Sequence, residues 1–232
     1  MNPSILSYHF LTLSLLFCIP GLVVYLLRSD LRQVIHILAI VSIPFGFTEF
    51  LFYPSYWEPK FLFDLVHVLG FGIEDLLFVI GLSAFTSTSY PFFFRKQFAK
   101  WEGRGFSPKY RILLLVLLFV TLVPTVHAMG IHLIYGAPLI MLSFSSILLF
   151  LRRDLLIPAV LGGVSSTIVY SILCFLLLWI YPSIFDLTWH TQKFLNIRWF
   201  GIPLEELIYA FSSGLAATLF YPFVFSFRFV SF

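Results

Sequence analysis

Glu205 and Glu206 stand side by side in FGIPLEELIYAF, residues 200–211, a run otherwise apolar enough to be buried in a membrane. Glu74 and Asp75 repeat the arrangement in FGIEDLLFVIG, which begins at Phe71. An ionised carboxylate at the centre of a membrane helix costs about 2.5–3.5 kcal/mol on insertion scales, so four of them need a reason. Neighbouring helix positions point about 100° apart, so the two members of each pair serve different surroundings. Removal from water and a like charge alongside both favour the neutral acid. A neutral carboxylic acid in a dry aromatic pocket can give a proton, and a nearby carboxylate can take one away. Glu74, Asp75, Glu205 and Glu206 are therefore the candidate catalytic groups, and Glu49, Phe78 and Tyr209 the candidate substrate contacts.

A plainer account competes with this one. About 16 residues separate Glu74 from Tyr90 and Glu205 from Tyr221, roughly 24 Å of helix, which puts both glutamates near helix starts. Acidic side chains there complement the helix dipole and need no catalysis. Two pairs in matching contexts favour the chemical reading over the structural one.

The elements that must hold these groups are membrane helices. The chain has 232 residues, 60% hydrophobic and 11% charged, with a mean hydropathy of +0.98, too apolar for a soluble domain with a wetted surface. Hydropathy predicts an all-α integral membrane protein with about seven spans, at 5–27, 33–52, 66–94, 111–128, 131–151, 156–181 and 200–227. No basic residue precedes the first span and no small-residue cleavage site follows it, so it reads as a retained helix. Arg28 and Arg32, then Arg95, Lys96, Lys100, Arg104, Lys109 and Arg111, then Arg152 and Arg153 lie in alternate loops. The opposite loops carry Lys60 with Glu58 and Asp64, His127 and His132, then Lys193 and Arg198 with Asp186, a weaker basic content. By the positive-inside rule the N-terminus lies outside the cell membrane and the C-terminus in the cytoplasm. The net charge of +3 thus reports topology and does not point to nucleic acid.

An internal repeat organises the chain. LLRSDL at Arg28 matches FLRRDL at Arg152, YPS recurs at Tyr53 and Tyr181, the acidic pair at Glu74 and Glu205, and YPF at Tyr90 and Tyr221. The offset grows from 124 residues (28 to 152) through 128 (53 to 181) to 131 (74 to 205 and 90 to 221), as loop insertions in the second copy would produce. The expected domains are a three-helix unit at 1–95, a basic loop and connecting helix at 96–130, and a second three-helix unit at 131–232. Corresponding helices are four apart, so the repeat is parallel, with a pseudo-twofold axis along the membrane normal.

Other polar residues read as structural. Glu49 falls opposite Leu177 in the second copy and serves either a copy-specific contact or the site. His67 and His190 lack metal-like spacing and read as interfacial. Asp30 and Asp154 read as caps of the helices that follow them. Gly70 and Gly72 lack the strand-to-helix context of a phosphate loop. Cys18 and Cys174 lie in apolar spans as small buried side chains, and no disulfide framework or zinc spacing is visible.

PLEEL at Pro203–Leu207, GIEDLLF at Gly72–Phe78, YPSYWEP at Tyr53–Pro59 and the duplicated unit together resemble the membrane-integral lycopene cyclase domain family of carotenoid synthesis, in its fused tandem form. The likeness departs in the first copy, where no proline precedes the acidic pair and Asp75 stands in place of Glu206. The resemblance implies lycopene β-cyclase activity. The terminal double bond of an acyclic ψ-end carotenoid is protonated, the neighbouring alkene attacks the cation, and loss of a proton leaves a β-ionone ring with no net redox change. Aromatic faces can stabilise the transient cation. The partner so implied is a hydrophobic carotenoid or isoprenoid within the bilayer, with other carotenoid-pathway enzymes as candidate associates; no cofactor is named by the residues.

Rival readings meet specific obstacles. A CAAX-type intramembrane protease expects EExxxR, and the corresponding position here is Ala210. A retinal-binding seven-helix protein needs a lysine in its last span, and 200–227 holds none. A membrane prenyltransferase needs aspartate clusters for magnesium diphosphate, and none is present at such spacing. Two alternatives stay open: a non-catalytic carotenoid- or isoprenoid-binding protein, and an enzyme acting on another isoprenoid end group.

Overall fold

Apolar runs bounded by Pro, Gly and short charged turns fold as helices, and the computed structural model describes residues 8–103 and 107–232. The first half comprises α1 (His9–Leu27), α2 (Arg32–Gly46), α3 (Leu65–Leu69), α4 (Ile73–Thr86), α5 (Ser89–Phe93) and β1 (Lys96–Lys100). There follow α6 (Pro108–Ala128), α7 (Leu133–Leu151), α8 (Leu156–Ile180), α9 (Ile184–Thr188), β2 (Arg198–Trp199), β3 (Ile202–Pro203), α10 (Leu204–Phe225) and β4 (Phe227–Ser231). The start of the first expected helix, before residue 8, and Arg104 of the basic loop lie outside the described residues.

Five helical stretches are long and apolar enough to cross a membrane: His9–Leu27, Pro108–Ala128, Leu133–Leu151, Arg153–Ile180 and Leu204–Phe225. A sixth arises if Leu62–Leu69 and Ile73–Thr86 count as one span, bent by 94°. The expected count of seven is reduced by α2, whose 15 residues reach about 22 Å, short of the roughly 30 Å hydrocarbon core. The expected continuous helix 66–94 is three pieces. Left-handed Phe63 and Asp64 (φ 56° and 55°) precede the short α3, and Gly70 at φ 79° ends it, so the chain turns sharply before α4 begins. Hydropathy reads through this break because both sides of it are apolar.

The helices pack as α1 on α4 and α8, α2 on α4, α6 on α7, and α10 on α7 and α8. Small residues set the closest approaches. A Cβ added at Gly81 of α4 would lie 2.7 Å from the Phe17 carbonyl carbon of α1, and one at Gly214 of α10 would lie 2.5 Å from Ser166 Cβ of α8. The largest core cluster gathers Phe10, Phe17, Phe61, Phe85, Tyr170 and Leu177 with loop residues Tyr56, Trp57 and Trp189.

Two features modify the all-α expectation. Residues 96–100, expected in the basic loop, form β1 and pair antiparallel with β4, with Phe98 opposite Phe229 at the centre. Ser226 adopts a left-handed φ of 58° and ends α10 so that the chain can enter β4. A second, two-residue pairing joins Arg198–Trp199 to Ile202–Pro203 just before α10.

Two arginines lock the helix turns to these strands. Arg28 holds Asp30 with both Nε (2.8 Å) and Nη2 (2.7 Å) and donates to the carbonyls of Pro91 and Lys96. Arg152 holds Asp154 in the same two-point way at 2.7 Å and donates to the carbonyls of Pro222 and Phe227. Asp30 and Asp154 therefore work as ion-pair partners, and neither makes the helix cap expected of it. His67 and His190 meet Asp64 and Glu58 respectively at the protein surface.

Candidate functional site

The first turns of α4 and α10 carry the acidic pairs, Glu74 with Asp75 and Glu205 with Glu206. The rotation of about 100° between neighbours then separates each pair into two roles. Glu74 and Glu205 turn toward the loops that precede their helices. Glu74 Oε1 accepts from Leu62 N at 2.6 Å, while Glu205 Oε1 accepts from Leu195 N at 3.1 Å and the Tyr135 hydroxyl at 3.2 Å. The second oxygen of each is buried without a hydrogen-bond partner among the described residues. Neither glutamate lines the cavity described below. Their carboxyls bond to the loops that precede α4 and α10, beside the helix N-termini where acidic groups complement the dipole.

Asp75 and Glu206 turn the other way. Together with Glu49, Phe78 and Tyr209 they line one cavity of about 200 Å³, walled mostly by apolar side chains of α1, α2, α4, α7, α8 and α10. Glu49 is not in a helix, because α2 stops at Gly46 and a single turn, Glu49–Leu51, follows it. All three carboxyl groups are buried.

Their partners differ. Glu206 is encircled by donors: the Tyr56 hydroxyl (2.8 Å) and Trp189 Nε1 (2.9 Å) reach Oε1, and the Tyr170 hydroxyl reaches Oε2. Asp75 Oδ2 accepts from Gly72 N at 2.7 Å, satisfying a buried N–H at the N-cap of α4. Glu49 Oε1 accepts from Trp57 Nε1 at 2.6 Å, and Glu49 and Asp75 line the same cavity with one donor each. A buried carboxyl oxygen that meets no donor is better served by carrying a proton than by a charge.

Aromatic rings close the space around the acids. Phe10 and Trp57 meet edge to face at 4.4 Å, Phe17 and Phe78 lie 4.9 Å apart, and Trp57 and Trp189 lie 5.0 Å apart. On the side of α2, α6 and α7 the wall is thinner. Phe45 and Phe119 line the cavity there, meet edge to face at 5.8 Å, and are 48% and 45% exposed on the outer surface.

Tyr56, Tyr170, Trp57 and Trp189, which donate to Glu206 or Glu49, are cavity residues that sequence reasoning missed. Tyr170 carried a readable signal, since a hydroxyl in the middle of an apolar span requires a partner. Among the described residues, no group of three His, Cys, Asp or Glu side chains is placed to hold a metal ion.

The fold and site define a polytopic membrane protein with a buried, acid-lined cavity behind an aromatic wall. Residues 132–224 match the family model described as lycopene cyclase. The matched segment contains Tyr170, Trp189, Glu205 and Glu206, while Glu49, Trp57, Glu74 and Asp75 precede it. No curated protein and no solved structure matches the chain.

Proposed function

We propose that the chain is a lycopene β-cyclase-like enzyme of the cell membrane, converting acyclic ψ end groups to β-ionone rings by proton transfer from and to carboxyl groups. The observation that carries this reading is the convergence of Glu49, Asp75 and Glu206 on one aromatic-lined cavity, in a chain whose residues 132–224 match the lycopene cyclase family model. A cavity of about 200 Å³ suits an end group, and the thin wall at Phe45 and Phe119 suits a polyene that arrives from the bilayer. Aromatic faces stabilise a carbocation that appears only in passing.

The reading includes a parallel duplication, with units at 1–95 and 131–232 and a connector at 96–130. Support comes from the two arginine locks, whose carbonyl acceptors Pro91 and Lys96, and Pro222 and Phe227, share one offset of 131 residues (91 to 222 and 96 to 227). Further support comes from residues at matching places in the two halves of the chain that pair with each other: Phe98 with Phe229 in the strands, and Trp57 with Trp189 in an isolated bridge.

Expression in a lycopene-accumulating host tests the reading. The expected product is a monocyclic or bicyclic β-ring carotenoid, separated by chromatography. Unaltered lycopene from well-inserted protein would favour the carotenoid-binding role or another isoprenoid end group.

A further inference from the structure

We infer that the two halves of the cavity divide the proton chemistry between them: the Glu49–Asp75 pair holds the proton that is given, and Glu206 is the base that removes one. The inference rests on the cyclase reading for its substrate, and on geometry for its assignment.

The assignment follows from counting donors. Tyr56, Trp189 and Tyr170 all donate to Glu206, and an indole N–H can only donate. Both Glu206 oxygens are thereby satisfied without a proton of their own, the arrangement that suits a carboxylate. The opposite pair is short of donors. Trp57 and Gly72 N supply one bond each, and the other oxygen of each acid has no donor among the described residues, which leaves room on the pair for a proton. The sequence carries the same asymmetry. Leu177 stands where Glu49 would fall in the second copy and is fully buried in the core, so a dyad can form only beside α4. The carboxyl beside α10 is given the two tyrosines instead. Duplication has thus left one site with unlike halves, in place of two equivalent sites.

The reaction balances on these groups. The dyad's proton forms a new C–H bond with the electrons of the terminal alkene, leaving a tertiary cation. The neighbouring alkene attacks it, closing the ring bond and moving the cation into the ring. Glu206 takes a proton from an adjacent ring carbon, whose C–H electrons become the ring double bond. One proton has left the dyad and one has reached Glu206. Its return, through Tyr209 on the cavity wall or a cavity water, restores the resting state with no oxidant or reductant.

Two readouts test this separately from the cyclase reading. The first is infrared spectroscopy of the purified full chain in detergent, without substrate. A buried protonated carboxyl band should appear in the wild-type minus Glu49→Gln and wild-type minus Asp75→Asn difference spectra and not in wild-type minus Glu206→Gln; any band from Glu74 or Glu205, each with an unpartnered buried oxygen, cancels in all three. Absence of the band from the first two difference spectra, or its presence in the third alone, would overturn the assignment even if rings are made. The second is the product pattern in the lycopene-accumulating host. Glu49→Gln and Asp75→Asn should leave lycopene unaltered, with ring formation down about 10²–10⁴-fold. Glu206→Gln should still consume lycopene and give products of a trapped or misdirected cation. Infrared results as expected with a wild type that makes no ring would sink the cyclase reading and keep the dyad. Asn keeps an acceptor for Gly72 N, and where Asp75→Asn still fails to fold because its amide N–H₂ is turned toward that N–H, Glu49→Gln, which has no capping duty, carries both readouts.

Discussion

Trp57 and Trp189 pair backbone to backbone in an antiparallel bridge, and each indole N–H reaches a different acid, Trp57 to Glu49 at 2.6 Å and Trp189 to Glu206 at 2.9 Å. Loops from the two halves of the chain therefore meet over the cavity, and their contact fixes the distance between its acidic walls. Replacing Trp189 by Phe keeps most of the ring packing and removes one donor from a buried carboxylate. The expected cost is about 1.5–3 kcal/mol, read from thermal unfolding in detergent, together with a loss of ring formation. Unchanged stability would mean that the indole contact contributes nothing.

Glu205 and Glu206 are adjacent but should respond differently to the same change. Glu206→Gln stops formation of the β-ring. Glu205→Gln keeps an acceptor for Leu195 N and Tyr135, so it should fold and retain most product. Equal loss in both variants, with equal protein in the membrane, would return Glu205 to the chemistry.

Ala137 lines the cavity on α7, and Ala137→Trp fills space that the end group needs. Turnover should fall by about tenfold or more, with helical content unchanged by circular dichroism. Full activity would show that the end group sits elsewhere.

Arg152 is more deeply buried than Arg28, with side-chain exposures of 3% and 14%, although the two make matching bonds. Removing Arg152 takes a donor from the carbonyls of Pro222 and Phe227 and the partner from Asp154, so Arg152→Ala should destabilise by about 2–5 kcal/mol and Arg28→Ala by less. Chemical or thermal unfolding of the two variants checks the order.

Loop charge predicts that the segment from Arg95 to Arg111 faces the cytoplasm. A cysteine at Ser107 should then be shielded from an impermeant thiol reagent in intact cells and labelled after permeabilisation. Labelling from outside would invert the topology.

The positions of both acidic pairs, the arginine turns and the long spans α1, α6, α7, α8 and α10 were legible in the sequence, because hydropathy and rare intramembrane charges are strong local signals. The phase of each pair was not. Glu205 and Glu206 differ by one residue, and which one faces the cavity depends on how α10 rotates against α7 and α8, a packing outcome invisible to local pattern. The break before α4 was hidden for another reason: Leu65–Leu69 is as apolar as the helix that follows, so only the backbone angles at Phe63, Asp64 and Gly70 reveal it. Glu49 was seen, but its partnership with Asp75 joins residues from separate elements, and no spacing rule connects them.

The strand pair at the other end of the molecule bears on how the halves are held. Lys96–Lys100 and Phe227–Ser231 are joined by main-chain hydrogen bonds, and Trp101 lays its ring 3.9 Å from the Arg152 guanidinium across the same seam. Neither contact depends on the peptide link between the halves. A chain cut after Gly103 would leave two fragments that recognise each other by strand addition, as separately made subunits do. The link then acts as a tether that raises the effective concentration of one half for the other. Co-expressed fragments would be expected to assemble, at a rate set by encounter in the plane of the membrane.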